Sequence, residues 1–146
     1  MTVSTFTQPY STTQSVSAYK ANIDGAVDVY ERLARAFAPH QQRSGSPQPD
    51  MTVELDPGAV FDGLTLAEVA AQSTVVIAAP TGNPRRDIVH VDGRTGTVGV
   101  ATGTEAASPA DPAIPAGKIP IARVSLTVGQ TLIVDADLTD LRVPMF

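Results

Sequence analysis

Hydrophobic side chains recur at three- and four-residue steps between residues 18 and 38, and this spacing predicts one amphipathic helix. Ser17 suits the N-cap position, and Pro39 ends the helix because it pushes the preceding residue out of the α region. Most of the stripe also has the four-three spacing of a helical bundle, so the helix either lies on its own β domain or packs with copies of itself. The stripe consists of Tyr19, Ile23, Ala26, Val27, Tyr30, Leu33, Ala34 and Phe37.

Polar segments lie on both sides of this helix. Residues 1–17 are rich in Ser, Thr and Gln and carry no charged side chain, so we interpret them as an extended arm that orders against a neighbour or stays loose. Residues 39–50 are mostly polar, Gly or Pro, the composition of a semi-extended linker. The predicted organisation is an arm and an anchoring or oligomerisation helix over residues 1–38, this linker, and a β domain over residues 51–146.

The later hydrophobic residues alternate with polar ones over short stretches, as half-buried strands do. A hairpin is predicted where residues 88–91 and 98–100 flank a Gly-containing turn. Residues 64–72 have helical propensity as well as alternation, and we favour the extended form. The other predicted strands cover residues 51–55, 74–79, 119–126 and 132–134, and a long proline-rich loop covers residues 102–117. Around seven short strands predict a mainly β fold, a small antiparallel β-sandwich or barrel-like domain.

Composition narrows the possible functions of a chain of 146 residues, which suits one domain. The net charge is −5 and the ten basic residues are scattered, so we expect no binding to nucleic acid. The absence of cysteine excludes disulfides and a thiol nucleophile. No apolar run approaches the ~18 residues of a membrane span, and no secretory signal is evident, so we expect a protein made in the bacterial cytoplasm that does not insert into membranes.

Side chains suited to catalysis or metal binding are few and dispersed along the chain. His40 and His90 are fifty positions apart, and neither has a metal-ligand neighbour at suitable spacing. Neither a dinucleotide fingerprint nor a phosphate-binding loop occurs. Asp135, Asp137 and Asp140 form a weak calcium candidate, against a solvated turn in which Asp140 or Asp137 pairs with Arg142. We therefore predict neither catalytic residues nor a cofactor.

Three segments of the β domain carry a resemblance to a known family. They are Asn83-Pro-Arg-Arg-Asp87, Lys118-Ile-Pro-Ile-Ala-Arg-Val124 and Ala136-Asp-Leu-Thr-Asp-Leu-Arg142. Together they resemble the short β module of tail-fibre and head-fibre proteins of tailed bacteriophages and of spike proteins of gene transfer agents. In that family the first segment introduces a strand, the second begins the next strand and the third closes the module. Arg86 departs from the pattern, because relatives often carry an apolar residue there.

The resemblance implies a non-enzymatic structural protein on the surface of a virion or phage-like particle. We expect the base or adaptor of a head spike (capsid fibre) that anchors a separate receptor-binding fibre in host attachment. The alternatives are an adaptor of a tail fibre or baseplate, or a carbohydrate-binding β module contacting the host envelope. The implied partners are the chain itself as a trimer or pentamer, capsid or tail proteins, and the fibre. The expected interface residues are Tyr19, Ile23, Val27, Tyr30, Leu33 and Phe37, and the tail of Val143, Met145 and Phe146 either docks a partner or tucks into its own sheet.

Overall fold

The computed structural model describes residues 20–27, 36–40, 50–61 and 65–143. Contacts divide the chain into two compact units, Met1–Ala34 and Arg35–Phe146. We call the second one the β unit. The division falls four residues before the domain boundary predicted at residue 38, so residues 35–38 belong to the β unit.

In the first unit, residues 20–27 form a helix, named α1. Lys20 and Asp24 pair across one helical turn, with 2.5 Å between Nζ and Oδ2. Both side chains are exposed, so this ion pair contributes little to stability. Ile23 and Val27 of the predicted stripe are 45% and 48% exposed.

The β unit is built from short strands. In the described residues these strands are β1 (Pro39–His40), β2 (Glu54–Leu55), β3 (Gly58–Phe61), β4 (Leu66–Val69), β5 (Gln72–Ser73), β6 (Arg85–Asp92), β7 (Val98–Ala101), β8 (Lys118–Leu126) and β9 (Leu138–Asp140), with one 3-10 helix at Asp135–Asp137. They form three antiparallel sheets with strand orders β1-β2-β5, β3-β4 and β7-β6-β8-β9. The predicted mainly β, antiparallel fold is confirmed, and none of the three sheets closes into a barrel.

The core lies on one face of the four-stranded sheet. Val89 and Val91 of β6 and Val124 of β8 are fully buried there. The opposing layer comes from the two smaller sheets and from two irregular segments. Its buried members are Phe37, Val53, Leu55, Val60, Ile77 and Ile133. Apart from Phe37 this core is aliphatic, as expected from a chain with few aromatic residues.

Strand β6 is buried on both faces, which is unusual for a sheet with only one apolar layer behind it. Because side chains alternate along a strand, Ile88 and His90 point away from the core face that holds Val89 and Val91. Ile88 is nevertheless only 1% exposed and His90 7%. The second face of the sheet must therefore be covered, and the loop after β7 covers it.

Several predicted strands are confirmed, and two are wrong. The hairpin β6–β7, the long strand β8 and the strand-free loop at 102–117 match the prediction. Residues 64–72 are extended where they are described, in β4 and β5. Segments 74–79 and 132–134 form no strands. Isolated backbone bonds hold them instead of a ladder. Thr74 N donates to Val53 O and Ile77 N to Met51 O in the first segment, and Ile133 N donates to Asp50 O in the second.

The predicted helix and linker meet the β unit earlier than expected. Residues 36–37 form a turn, and Pro39–His40 is strand β1, so the helix does not reach residue 38 and the linker does not begin at residue 39. Phe37 has a φ of 54°, in the left-handed region, and its ring is 7% exposed. It packs so closely on Gly58 that a Cβ there would lie 2.5 Å from the ring. Burial of the ring in this pocket offsets the strained backbone at Phe37.

Candidate functional site

The long loop at residues 102–117 is fixed to the four-stranded sheet at its start by a buried carboxylate. Asp87 is completely buried and accepts hydrogen bonds from Arg85 Nε at 2.8 Å and Nη2 at 2.9 Å. Its Oδ1 atom also accepts the Gly103 N–H at 2.9 Å. Arg85 Nη2 in addition donates to Ala78 O at 2.6 Å. A buried charge needs this full set of partners, so the pair joins β6 to the loop on one side and to segment 74–80 on the other.

Glu105 makes the second attachment of the loop. Its carboxylate accepts the backbone N–H groups of Thr81, Gly82 and Asn83 at 3.0, 2.8 and 3.1 Å. These three hydrogen bonds lower the pKa of Glu105. Successive backbone N–H groups that converge on one anion form a nest. The nest lies at the start of the segment Asn83–Asp87, and the carboxylate of Glu105 occupies it.

Asp111 makes the third attachment, on the face of the sheet opposite the core. Its carboxylate forms a bidentate ion pair with Arg123 and lies 3.7 Å from Arg86 Nη1. The hydrogen bond from Arg123 lowers the pKa of Asp111. Arg86 and Arg123 flank Ile88 on this face, because Arg123 is the cross-strand partner of Ile88. The ion pairs therefore hold the loop over Ile88 and leave an open groove of about 430 Å³ between small side chains of the loop.

The far end of the loop is fixed by Lys118, whose Nζ lies 2.6 Å from Asp92 Oδ2. The other oxygen of Asp92 accepts the N–H groups of Arg94 and Thr95 in the β6–β7 turn. The hydrogen bond from Lys118 and those two backbone bonds hold the pKa of Asp92 well below its usual range. One carboxylate thus shapes the hairpin turn and ties it to the start of β8.

Next to this pair, the imidazole of His90 is buried over Gly99, its cross-strand neighbour on β7. A Cβ at Gly99 would lie 2.6 Å from His90 Cε1, so only glycine leaves room for the ring. His90 Nδ1 is buried and has no hydrogen-bond partner. Burial, with a smaller contribution from the Lys118 charge, lowers the pKa of His90. The imidazole of His90 therefore fills the space above Gly99 inside the β unit, while His40 Nε2 lies 3.3 Å from Asp56 Oδ1.

The carboxylates of the weak calcium candidate, Asp135, Asp137 and Asp140, do not converge on one point in this structure. Asp137 Oδ2 accepts hydrogen bonds from Gln130 Nε2 at 2.8 Å and from Val134 N at 2.9 Å. Asp140 pairs with Arg142 at 2.6 Å, the pairing that the sequence offered as the alternative. Within residues 20–27, 36–40, 50–61 and 65–143, no three His, Cys, Asp or Glu side chains converge as metal ligands.

The predicted interface residues fall in different places. Ile23 and Val27 lie exposed on α1, whereas Phe37 is buried in the core of the β unit and presents no free surface. Val143 is 84% exposed at the end of the described chain. The remaining predicted members lie outside the described residues; they are Tyr19, Tyr30, Leu33, Met145 and Phe146.

The first and last described segments of the β unit meet at one place. Arg142 Nη1 donates to Ala36 O at 2.9 Å, so a residue near the start of the unit lies beside a residue near the end of its described part. Leu141 N donates to Ile121 O, which puts this junction beside the first half of β8. We call Ala36, Arg142 and Val143 the entry end.

Exposed aliphatic side chains, which sequence reasoning missed, lie in the two irregular segments 74–79 and 132–134. They are Val75, Val76, Leu132 and Val134, with exposures of 76%, 72%, 41% and 39%, and we call this set the aliphatic face. These side chains flank the buried residues Ile77 and Ile133, which bond to neighbouring carbonyls of residues 51 and 50. Both segments are therefore bonded to the same short stretch of chain at residues 50–51.

A signal for this surface is present in the sequence. Two consecutive apolar residues cannot both face one core in a regular strand, so Val75 and Val76 could have marked an exposed or irregular segment. The charged anchors had no such signal, because each joins residues distant in the chain.

Comparisons with known proteins identify no relative of this chain. No protein-family model matches the chain, and no curated protein or solved structure is similar to it at a significant level. In the described part of the chain, no helix is long and apolar enough to cross a membrane.

Proposed function

We propose that this protein is a non-enzymatic structural component of a phage-like particle, the base of a head spike that anchors a separate receptor-binding fibre. The observation that carries the proposal is the arrangement of the three segments that resemble the fibre module. They form β6, β8 and β9, which are neighbouring strands of one sheet. Arg85 begins β6 and Lys118 begins β8, as the family pattern implies.

The use of charged residues supports attachment over catalysis. The buried pair of Asp87 with Arg85, the Glu105 nest and the Asp111 ion pairs all bind one part of the β unit to another. A carboxyl group that donates a proton in catalysis needs a cleft that raises its pKa, whereas the pKa values of Glu105 and Asp111 are lowered by their partners. These side chains build a rigid platform on which a fibre can rest.

The position of the entry end gives the platform a direction. Ala36 and Arg142 lie beside the first half of β8, whereas the segment 127–134 follows its last residue, Leu126. Five residues of strand, about 17 Å, separate Ile121 from Leu126. In the proposed spike base, the entry end faces the particle and the aliphatic face points away from it.

Sugar binding has less support. Carbohydrate sites stack sugar rings on exposed aromatic side chains, and among the described residues Phe61, at 62% exposure, is the single exposed aromatic. Phe37 is buried. A fibre base therefore accounts for the surface better than a carbohydrate module, and the position of the protein on particles distinguishes a head spike from a tail or baseplate adaptor.

Particle incorporation tests the proposal. Full-length protein and a variant lacking residues 1–34 are each supplied to a producing cell from which the native copy is deleted, and purified particles are analysed by quantitative mass spectrometry and immunogold labelling. The deletion ends at residue 34 because Phe37 belongs to the core of the β unit. We expect label on capsids with the full-length chain and its loss with the deletion. Full-length protein absent from particles would contradict the proposal.

Self-association is the second part of the proposal, and α1 offers a point mutation. Light scattering coupled to size exclusion should give a trimer or a pentamer for the intact chain. Ile23→Asp places a charge on the exposed stripe of α1 and should yield a monomer. The matched control Asp24→Asn, on the neighbouring position, should leave the mass unchanged. An oligomer that persists in Ile23→Asp would contradict a role for this helix in assembly.

A further inference from the structure

We propose that residues 107–114 form a flap that opens transiently while the rest of the β unit stays folded, with the ion pairs of Asp111 as its latch. The flap is the middle part of the loop that covers the four-stranded sheet. Opening uncovers Ile88, which is 1% exposed in the closed structure. This local opening goes beyond the proposed spike function and does not depend on it.

The flap lies between two points where the loop is bonded to its surroundings. On one side, Ala106 N donates to Pro84 O at 3.0 Å, just beyond the buried ion pair and the nest that hold the start of the loop. On the other side, Lys118 N donates to Pro115 O at 3.2 Å, where the chain turns into β8. The part of the loop between these two bonds can therefore move while both of its ends stay in place.

Between these two bonds, Asp111 holds the flap to the sheet. Among the described residues, every hydrogen bond or ion pair that joins the flap to another part of the β unit involves this carboxylate. Arg123 Nε donates to its Oδ1 atom at 2.8 Å, and Arg86 Nη1 lies 3.7 Å from the same atom. The Asp111 side chain is 34% exposed, and ion pairs at the surface contribute little to stability. One weak latch therefore opposes the opening.

The packing of the flap is sparse apart from this latch. Six of its eight residues are exposed, and Pro109 and Pro112 are half-buried. Ile114, its largest apolar side chain, is 38% exposed, and no residue of the flap belongs to the apolar core cluster. Segments with few buried apolar contacts open at a lower free energy than the core. Because the two prolines restrict the backbone, we expect the flap to move as one piece.

The surface beneath the flap changes when the flap opens. Ile88 lies between Arg86 and Arg123 on the covered face, since Arg123 is its cross-strand partner. Opening exposes this apolar side chain to solvent and removes the carboxylate from both guanidinium groups. Salt screens exposed ion pairs, so a higher ionic strength should favour the open form.

Thiol labelling tests the flap, because the chain contains no cysteine of its own. Ile88→Cys places a thiol beneath the flap, and Val89→Cys places one on the opposite, core face of β6; both native side chains are buried. Each folded full-length variant reacts with iodoacetamide, and mass spectrometry follows the labelling. We expect the thiol at position 88 to react at least about tenfold faster, with a rate that depends little on urea because the opening is local. Equal rates with equally steep urea dependence would overturn the inference.

Removal of the latch sharpens the test. Asp111→Ala, combined with Ile88→Cys, should raise the labelling rate about two- to fivefold, and added salt should then have a smaller effect than in the parent. The matched control is Asp140→Ala, which removes the partner of Arg142 and should leave the labelling rate unchanged. A labelling rate that does not respond to Asp111→Ala would overturn the role of Asp111 as the latch.

A second measurement keeps Ile88 in place, in case Ile88→Cys does not fold. Methyl relaxation dispersion is recorded on the full-length chain with labelled isoleucine, with and without Asp111→Ala. We expect microsecond-to-millisecond exchange at the Ile88 methyl group, increased by Asp111→Ala, and none at Ile133 in the core. The absence of exchange at Ile88 in both chains would overturn the inference.

Discussion

The covered face of the four-stranded sheet and the aliphatic face use opposite kinds of residues. The first is closed by a loop held with Asp87, Glu105 and Asp111, and every one of those carboxylates is bonded within the chain. At the second, Val75 and Val76 are exposed and no basic residue lies in the flanking segments. The difference teaches that charged side chains in this protein hold the β unit together, whereas these aliphatic side chains are left exposed to solvent. Substitutions on the two faces should therefore differ in what they damage.

The largest effect is expected at the buried ion pair. Asp87→Ala leaves the Arg85 guanidinium buried without its counter-charge, and this should lower the free energy of unfolding by about 3–5 kcal/mol. The matched control is Asp111→Ala, which breaks a partly exposed pair and should cost less than about 1 kcal/mol. Urea denaturation followed by circular dichroism measures both. Equal losses in the two variants would contradict the different burial of the two pairs.

A smaller effect is expected where His90 packs on β7. Gly99→Ala places a methyl group within 2.6 Å of the imidazole, and such overpacking should cost about 1–3 kcal/mol. The double variant with His90→Ala removes the ring and should recover part of the loss. A thermal denaturation series of the two single variants and the double variant measures this coupling. Additive losses would show that the ring and Gly99 do not constrain each other.

His90 also predicts how stability depends on pH. Its pKa is lowered from the ordinary 6.5 by burial, so the unfolded chain binds a proton more readily than the folded one. The stabilising contribution of neutral His90 is fully present above pH 6.5. It declines as the pH falls below 6.5, and the decline ends at the lowered pKa that His90 has in the folded protein. Lys118 on β8 disfavours the protonated ring and Asp92 on β6 favours it. From β7, Gly99 packs against the ring and carries no charge. His90→Gln should remove this slope in denaturation experiments between pH 7.5 and 5, and a slope that remains in the variant would assign the titration to another group.

The smallest effect on stability is expected on the aliphatic face. Val76→Asp changes a side chain that is 72% exposed, so the free energy of unfolding should stay within about 0.5 kcal/mol of the parent. The buried neighbour provides the control, because Ile77→Asp places a charge in the core and should prevent stable folding. Chemical denaturation distinguishes them. A loss at Val76 as severe as that at Ile77 would show that this surface belongs to the core.

The strongest sequence patterns predicted the sheet. Alternation on both sides of the Asp92–Gly96 turn identified β6 and β7, and the long alternating run identified β8. The patterns failed at segments 74–79 and 132–134, which have strand-like composition. Their backbone N–H groups bond to the carbonyls of residues 50, 51 and 53 without forming a ladder, and the neighbouring apolar side chains are exposed.

The turn at Phe37 and the carboxylates that hold the loop could not be predicted from local sequence patterns. Phe37 continued a helical stripe in the sequence, but the pocket above Gly58 takes its ring and the backbone adopts a left-handed turn. Glu105 lies more than twenty residues from the N–H groups it binds, and no spacing within one element signals such a contact. Asp111 likewise pairs with arginines of two other strands only because the loop folds back.

Hydrogen exchange on intact particles, compared with the free protein, tests most directly whether the β unit serves as a fibre platform. We expect the amides around Val75, Val76, Leu132 and Val134 to exchange more slowly in the particle, while those of loop residues 104–113 exchange at the same rate in both. Protection confined to the covered face, or no difference at the aliphatic face, would contradict the account.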